Sequence, residues 1–140
     1  MLVERAKEIC KTAHAGQVDK GGNAYYLHPF SVADMCKTKT EKIVAYLHDV
    51  LEDTNTTADD LVAYGFSNEV IEALIALTHD SKEPYLEYIK RVKENPIATI
   101  VKINDLRHNS DLSRLKKVTQ KDLKRKQKYL RCIEYLESTV

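Results

Sequence analysis

Tryptophan is absent from this chain, phenylalanine occurs twice, and only three cysteines are present among 140 residues. Cys10, Cys36 and Cys132 are odd in number, widely spaced and free of any Cys-x-x-Cys pair. They argue against a disulfide framework and read as reduced core thiols of a cytoplasmic protein. No apolar run approaches the roughly 18 residues that cross a bilayer, and no signal peptide is visible, so nothing points to export or to a membrane. The mature start is expected close to Met1. Neither sign of charge prevails, with 22 basic against 21 acidic residues. That balance argues against a general nucleic-acid-binding role driven by phosphate neutralisation. No β alternation, internal repeat or low-complexity segment stands out.

What is present is a chain with 43% apolar content and room for one compact domain, expected to span residues 1–140 around a single core. Helical periodicity runs through it. Val3 to Ala15 places Val3, Ala6, Ile9, Cys10 and Ala13 on one face, ended by Gly16. Pro29 suits the first turn of a helix through Val32, Ala33 and Met35. Lys42 to Leu51, KIVAYLHDVL, reads as a continuous buried helix. Thr57 caps Ala58 to Ala63, Gly65 closes that helix, and Ser67 caps a stripe of Val70, Ile71, Leu74 and Leu77. Tyr85 to Lys93 and Ile97 to Asp111 follow, separated by Asn95-Pro96. Thr119 with Asp122 opens a last helix whose Leu123, Tyr129, Leu130, Ile133 and Leu136 are expected to pack back on the bundle. Between Gly16 and His28 lies the longest irregular stretch, with Gly21-Gly22-Asn23 at its tip. Of the eight tyrosines, Tyr85, Tyr88, Tyr129 and Tyr135 read as core or seam residues. A run of basic residues, Arg114, Lys116, Lys117, Lys121, Lys124, Arg125, Lys126 and Lys128, reads as a solvated helix face, with a rim that draws in polyphosphate as the alternative.

The chemistry concentrates at His48-Asp49, followed at once by Glu52-Asp53, with His28 twenty positions before His48 and Asp105 fifty-six after Asp49. On a continuous helix, positions 48, 49, 52 and 53 fall within a wedge of about 140°. Burying four ionisable groups there without compensation costs many kcal/mol, so they must meet solvent, a cleft or a cation. Two imidazoles and two carboxylates suit a divalent metal. His79-Asp80 is an internal control: it ends the apolar run ALIALT, lacks the acidic pair and reads as a helix terminus. His14 is expected to pack or hydrogen-bond at the end of the first helix. Lys102, Asp105 and Asn109 share a helix face, which sends Asp105 into the cleft between a lysine and an amide.

Three stretches, HAGQVDKGGNAYYLHP from His14 to Pro29, LHDVLEDT from Leu47 to Thr54 and KINDLRHN from Lys102 to Asn109, resemble in order and spacing the HD-superfamily alarmone hydrolases. That family contains the hydrolase domain of the RelA/SpoT stringent-response enzymes and the free-standing small alarmone hydrolases. The resemblance covers the chain from its first helix to about Asn109. It implies an all-α fold, a compact helical bundle of the HD-domain type, and a cytoplasmic enzyme that uses Mn²⁺ to remove the 3′-pyrophosphate of ppGpp and pppGpp. It also implies metal ligation by His28, His48, Asp49 and Asp105, handling of the attacking water by Glu52 and Asp53, and substrate contacts from Lys20, Tyr25 and Asn109. The expected partner is a small nucleotide, with no nucleic acid and no membrane, and the length is expected to leave no room for the synthetase domain of the long enzymes. The chain departs from the family pattern at Asp19, where an arginine is usual, at Ala24 in place of proline, and at Asn104 in place of a small apolar residue. Asp19 favours a competing expectation, an HD nucleotidase or pyrophosphatase acting on another nucleotide. A metal-containing module that binds a nucleotide without cleaving it is the third.

Overall fold

The computed structural model describes residues 2–138, apart from the side chain of Arg114; Met1, the expected mature start, lies outside them. Among the described residues the chain forms α1 (Leu2–Ala13), α2 (Leu27–Asp34), α3 (Lys39–Leu47), α4 (Val50–Asp53), α5 (Ala58–Ala63), α6 (Asn68–Leu77), α7 (Tyr85–Lys93), α8 (Pro96–Ser110) and α9 (Gln120–Glu137), with a 3-10 turn at Leu112–Arg114. A single antiparallel bridge, Val18 to Ala24, is the sole strand-like pairing among them. The all-α expectation holds.

Local chemistry fixes the ends of these helices. Thr38, Thr57 and Thr119 each form a reciprocal capping box with an acidic residue three positions on, and Ser67 and Asn95 cap α6 and α8 by accepting from the backbone. Gly16 and Gly65, both at positive φ, turn the chain after α1 and α5. Past α6, the Arg91 guanidinium donates to the carbonyls of Ile75, Ala76 and Thr78 and pairs with Glu83 at 2.8 Å. It satisfies orphan carbonyls at the end of α6 and fixes the loop that carries His79.

Packing places two helices at the centre. In α3, Ile43, Val44, Ala45, Tyr46 and Leu47 are all buried, so the second half of this helix is enclosed on every side. It packs on α1, α2, α6 and α8, while α8 packs on α2, α3, α6, α7 and α9. The α2, α3 and α8 contacts bring His28, His48 and Asp105 to one depth in the bundle, all three buried.

Two sequence expectations are corrected. The helix expected to run unbroken from Lys42 to Leu51 stops at Leu47 and restarts at Val50. Its cause is local: at the helix end the Ala45 carbonyl accepts both the His48 Nδ1–H, at 2.6 Å, and the His48 backbone N–H, at 3.5 Å, an i+3 closure in place of the i+4 helical bond. On α9, Leu123 and Leu130 face solvent rather than the bundle. The buried stripe is Asp122, Cys132, Ile133 and Leu136 with Tyr129 half-buried, an i, i+3, i+4 series rotated away from the two leucines. Met35 also faces outward at the end of α2, and of the helical tyrosines Tyr88 is fully buried whereas Tyr135 is exposed. All three cysteines are free and buried, as expected.

Because the Thr38 box anchors the helix that delivers His48, Thr38→Ala is expected to cost about 1 kcal/mol. Urea denaturation of the metal-free protein would show it as a lower midpoint at unchanged slope; an unchanged midpoint would mean the cap contributes nothing.

Candidate metal centre and cleft

His28 enters from α2, His48 and Asp49 from the α3–α4 junction, and Asp105 from the middle of α8. The His28 Nε2 lies 2.7 Å from Asp105 Oδ1, and the His48 Nε2 lies 3.3 Å from the same oxygen and 3.2 Å from Asp49 Oδ2. Donor atoms of His28, His48 and Asp49 all fall within 4.8 Å of one another. The four groups proposed from sequence as ligands therefore converge.

The hydrogen bonds around them decide what that convergence can hold. The His48 Nδ1–H donates to Ala45 O, which leaves its Nε2 as the lone-pair atom, directed at two carboxylate oxygens. Acceptors facing acceptors in a buried site are unfavourable unless a cation lies among them. In the protein alone, that cation is a proton on His48. Burial would drive its imidazole toward neutrality, but Asp49 and Asp105 outweigh this and raise its pKa well above the usual histidine value. A divalent ion suits the same donor set and would replace the proton.

Carboxylates at the centre titrate in opposite directions. Burial opposes ionisation of Asp105, yet the Lys102 ammonium, 3.0 Å from Oδ2, and hydrogen bonds from His28 and His48 hold it well below the ordinary carboxylate range. Asp49 is likewise held down at about 2, burial being overcome by His48. Tyr25 donates to Asp49 Oδ2 at 2.6 Å, and its phenol is pushed far up, first by burial and then by Asp49. Glu52 and Asp53 stand exposed one turn on, and both are raised, by partial burial and then by the charge of Asp49. A backbone hydrogen bond from His79 and the charge of Lys102 limit the rise at Glu52.

Beside the centre opens a cavity of about 400 Å³, of a size for a small ligand. Lys20, Tyr25, His28 and Asn109 line one side of it, and Arg125 and Tyr129 of α9 the other. Each residue expected to touch substrate thus lies at the cavity, while Asn109 also donates to Asp105 Oδ1 at 3.2 Å. Of the basic run, Arg125 lines this cavity, whereas Lys116, Lys117, Lys121, Lys124 and Lys128 are exposed. The Asp19 Oδ1 accepts from the backbone N–H of Gly21 and Asn23, so the acid that departs from the family pattern shapes the loop. His14 packs as expected: its ring is buried, Nδ1 meets Gln17 Oε1 at 3.0 Å, and it tilts against Tyr25. His79-Asp80 lies just beyond α6, the helix end it was read as.

Sequence reasoning missed two groups. His108 meets His28 edge to edge, with ring centroids 4.8 Å apart and Nδ1 to Nδ1 at 2.6 Å. It sits three positions after Asp105, so the spacing that drew attention to Lys102 would have found it. The backbone N–H of His79 carried no signal at all, because its approach to Glu52 depends on how the Arg91-held loop folds.

With this geometry in view, the relatives become informative. A protein of Aquifex aeolicus named guanosine-3′,5′-bis(diphosphate) 3′-pyrophosphohydrolase is 30% identical over 115 residues, 74% of this chain and 16% of that protein. This chain resembles the ppGpp 3′-pyrophosphohydrolases. A Mycobacterium leprae protein named as a probable GTP pyrophosphokinase is 27% identical over 121 residues, 77% of this chain and 15% of that protein. The chain thus spans roughly a sixth of the length of these curated relatives. Among solved structures, a metazoan ortholog of SpoT described as hydrolysing ppGpp superposes with a TM-score of 0.79 at 21% identity, covering 99% of this chain and 86% of that one. It shares the all-α fold. No family model matches the chain, and none of the described helices is long and apolar enough to cross a membrane.

The raised Glu52 carboxyl has a consequence for stability. A carboxyl raised on folding imposes no penalty below the unfolded value of about 4.3, and the penalty grows as pH rises through the folded pKa. In metal-free protein, Glu52→Gln is therefore expected to raise the melting temperature at pH 7, with the gain fading toward pH 4. Equal or lower melting temperature at pH 7 would contradict this.

Proposed function

We infer that this chain is a metal-dependent phosphohydrolase that removes the 3′-pyrophosphate of guanosine tetraphosphate and pentaphosphate, releasing GDP or GTP. The observation that carries the reading is the meeting of His28, His48, Asp49 and Asp105 beside two exposed carboxylates and a nucleotide-sized cavity. Printed names among the relatives divide between hydrolase and pyrophosphokinase, so the names alone do not choose a direction. The residues favour hydrolysis. Glu52 and Asp53 form a pair suited to orienting and deprotonating a water, which a transfer onto a sugar hydroxyl would have to exclude.

When bound by the four ligands, a divalent cation, Mn²⁺ in this reading, supplies Lewis acidity toward a phosphoryl oxygen and lowers the pKa of a water. The chain's own groups do the rest. Lys102 holds Asp105 ionised through Oδ2 and so keeps Oδ1 on the cleft side. Tyr25 fixes the Asp49 carboxylate by its 2.6 Å hydrogen bond and forms a wall of the cavity. Glu52 and Asp53, both raised by partial burial and the charge of Asp49, accept a proton from the water and return one to the leaving oxygen. Lys20 and Arg125 lie where substrate phosphates enter, and Asn109 and Tyr129 line the space left for the nucleoside. Its buried thiols suit the reducing cytoplasm.

Asp19 supports a second reading, hydrolysis of a different nucleotide, since the position faces the cavity with an acid. A nucleotide panel that includes ppGpp, incubated with Mn²⁺ and followed by phosphorus NMR, separates the two. Pyrophosphate and GDP from ppGpp support the first reading, and inorganic phosphate from another nucleotide supports the second. Saturable binding with no product would mean a sensor. Within the first reading, Asp49→Ala and Asp105→Ala are expected to abolish metal binding and turnover. Glu52→Ala should keep its metal and lose about 100-fold or more in kcat; an unaltered kcat would remove Glu52 from the mechanism.

A further inference from the structure

On α8, three side chains converge on the Asp105 region: Lys102 on Oδ2, Asn109 on Oδ1, and His108 on the neighbouring ligand His28. The first two act on the carboxylate of their own helix. His108 reaches across to α2, and its Nδ1 lies 2.6 Å from the Nδ1 of His28, the two rings side by side with an interplanar angle of 29°.

A hydrogen bond between two imidazole nitrogens needs one donor and one acceptor. Without a metal, the 2.7 Å contact of His28 Nε2 with Asp105 Oδ1 is a hydrogen bond from Nε2–H. A cation at this centre would take Nε2 through its lone pair and so require the ring proton on Nδ1, and in that bound form His28 donates and His108 Nδ1 accepts. We propose that His108 is a positioning residue for the metal centre, fixing the tautomer and the ring plane of His28 by accepting its Nδ1–H. His48 obtains the same service from a main-chain carbonyl, Ala45 O at 2.6 Å. The two imidazoles are thus oriented by different means, and only that of His28 is open to substitution. Because His108 and Asp105 lie one turn apart on α8, a single rigid helix sets both the carboxylate and the orientation of the histidine opposite it.

This inference rests on the four-residue centre binding a divalent ion. The test is titration of metal-free protein with Mn²⁺, following free ion by electron paramagnetic resonance, for wild type, His108→Phe, His108→Asn and His108→Ala. Phe keeps an aromatic ring at the position without an acceptor, and Asn places an oxygen near where Nδ1 stood. The expected result is a Kd about 10- to 100-fold weaker for His108→Phe and His108→Ala, with His108→Asn returned to within about threefold of wild type. Melting of the metal-free variants reports on folding, and if His108→Ala does not fold, the Phe and Asn pair carries the comparison. Wild-type affinity in His108→Phe, or an Asn variant as weak as Phe, would overturn the proposal. No Mn²⁺ binding by wild type would instead refute the reading of the centre as a metal site.

Discussion

Lone pairs from three separate helices are pressed together in the interior of this protein, and a positive charge must lie among them. His28 and His48 both direct Nε2 at one oxygen of Asp105, with Asp49 beside them, and all but Asp49 are nearly inaccessible to water. In a medium of low polarity such a cluster repels itself unless a proton or a metal intervenes. Folding therefore creates an affinity for cations, and the same contacts that bury Val44, Leu47 and Val101 hold the donors where they compete for one.

Rigidity follows from which elements supply the groups. α8 carries Asp105 with Lys102 one turn before it and His108 and Asn109 one turn after, so the helical repeat alone sets four positions around the centre. The second half of α3 is sheathed by neighbours on every side and ends where His48 takes the Ala45 carbonyl. That early end lets His48 stay buried while Glu52 and Asp53 come out to solvent. An unbroken helix would have held all four polar groups on one wedge at similar depth.

Much of this was legible in the sequence, for reasons that differ by residue. Helix starts at Thr38, Thr57, Ser67 and Thr119 depend on contacts three residues away, so the local pattern carries them. The approach of His28 to Asp105 spans 77 positions, beyond the reach of periodicity; the three ordered motifs conveyed it instead. The break at His48-Asp49 escaped notice because both residues keep right-handed backbone angles and no glycine or proline marks the place. Leu123 and Leu130 were misplaced because a helix as rich in lysine as α9 offers few apolar positions, and its true inner stripe includes Asp122 and Cys132. The Arg91-held loop that presents the His79 N–H is a tertiary product with no local code.

Four carboxylates of two residue types, three of them within five positions and the fourth brought in by α8, gather at the centre, and environment alone divides their titration. Asp49 and Asp105 are held ionised by the cations built into the fold, as a metal ligand would need to be. Glu52 and Asp53 feel partial desolvation and then the negative charge of Asp49, so their affinity for protons rises. A ligand must resist protonation and a base must accept it, demands that one environment cannot meet. The interruption between α3 and α4 keeps Asp49 at the buried cluster and leaves Glu52 and Asp53, three and four positions on, exposed. An uncharged but equally well-packed cluster would be easier to fold and would have nothing with which to move a proton.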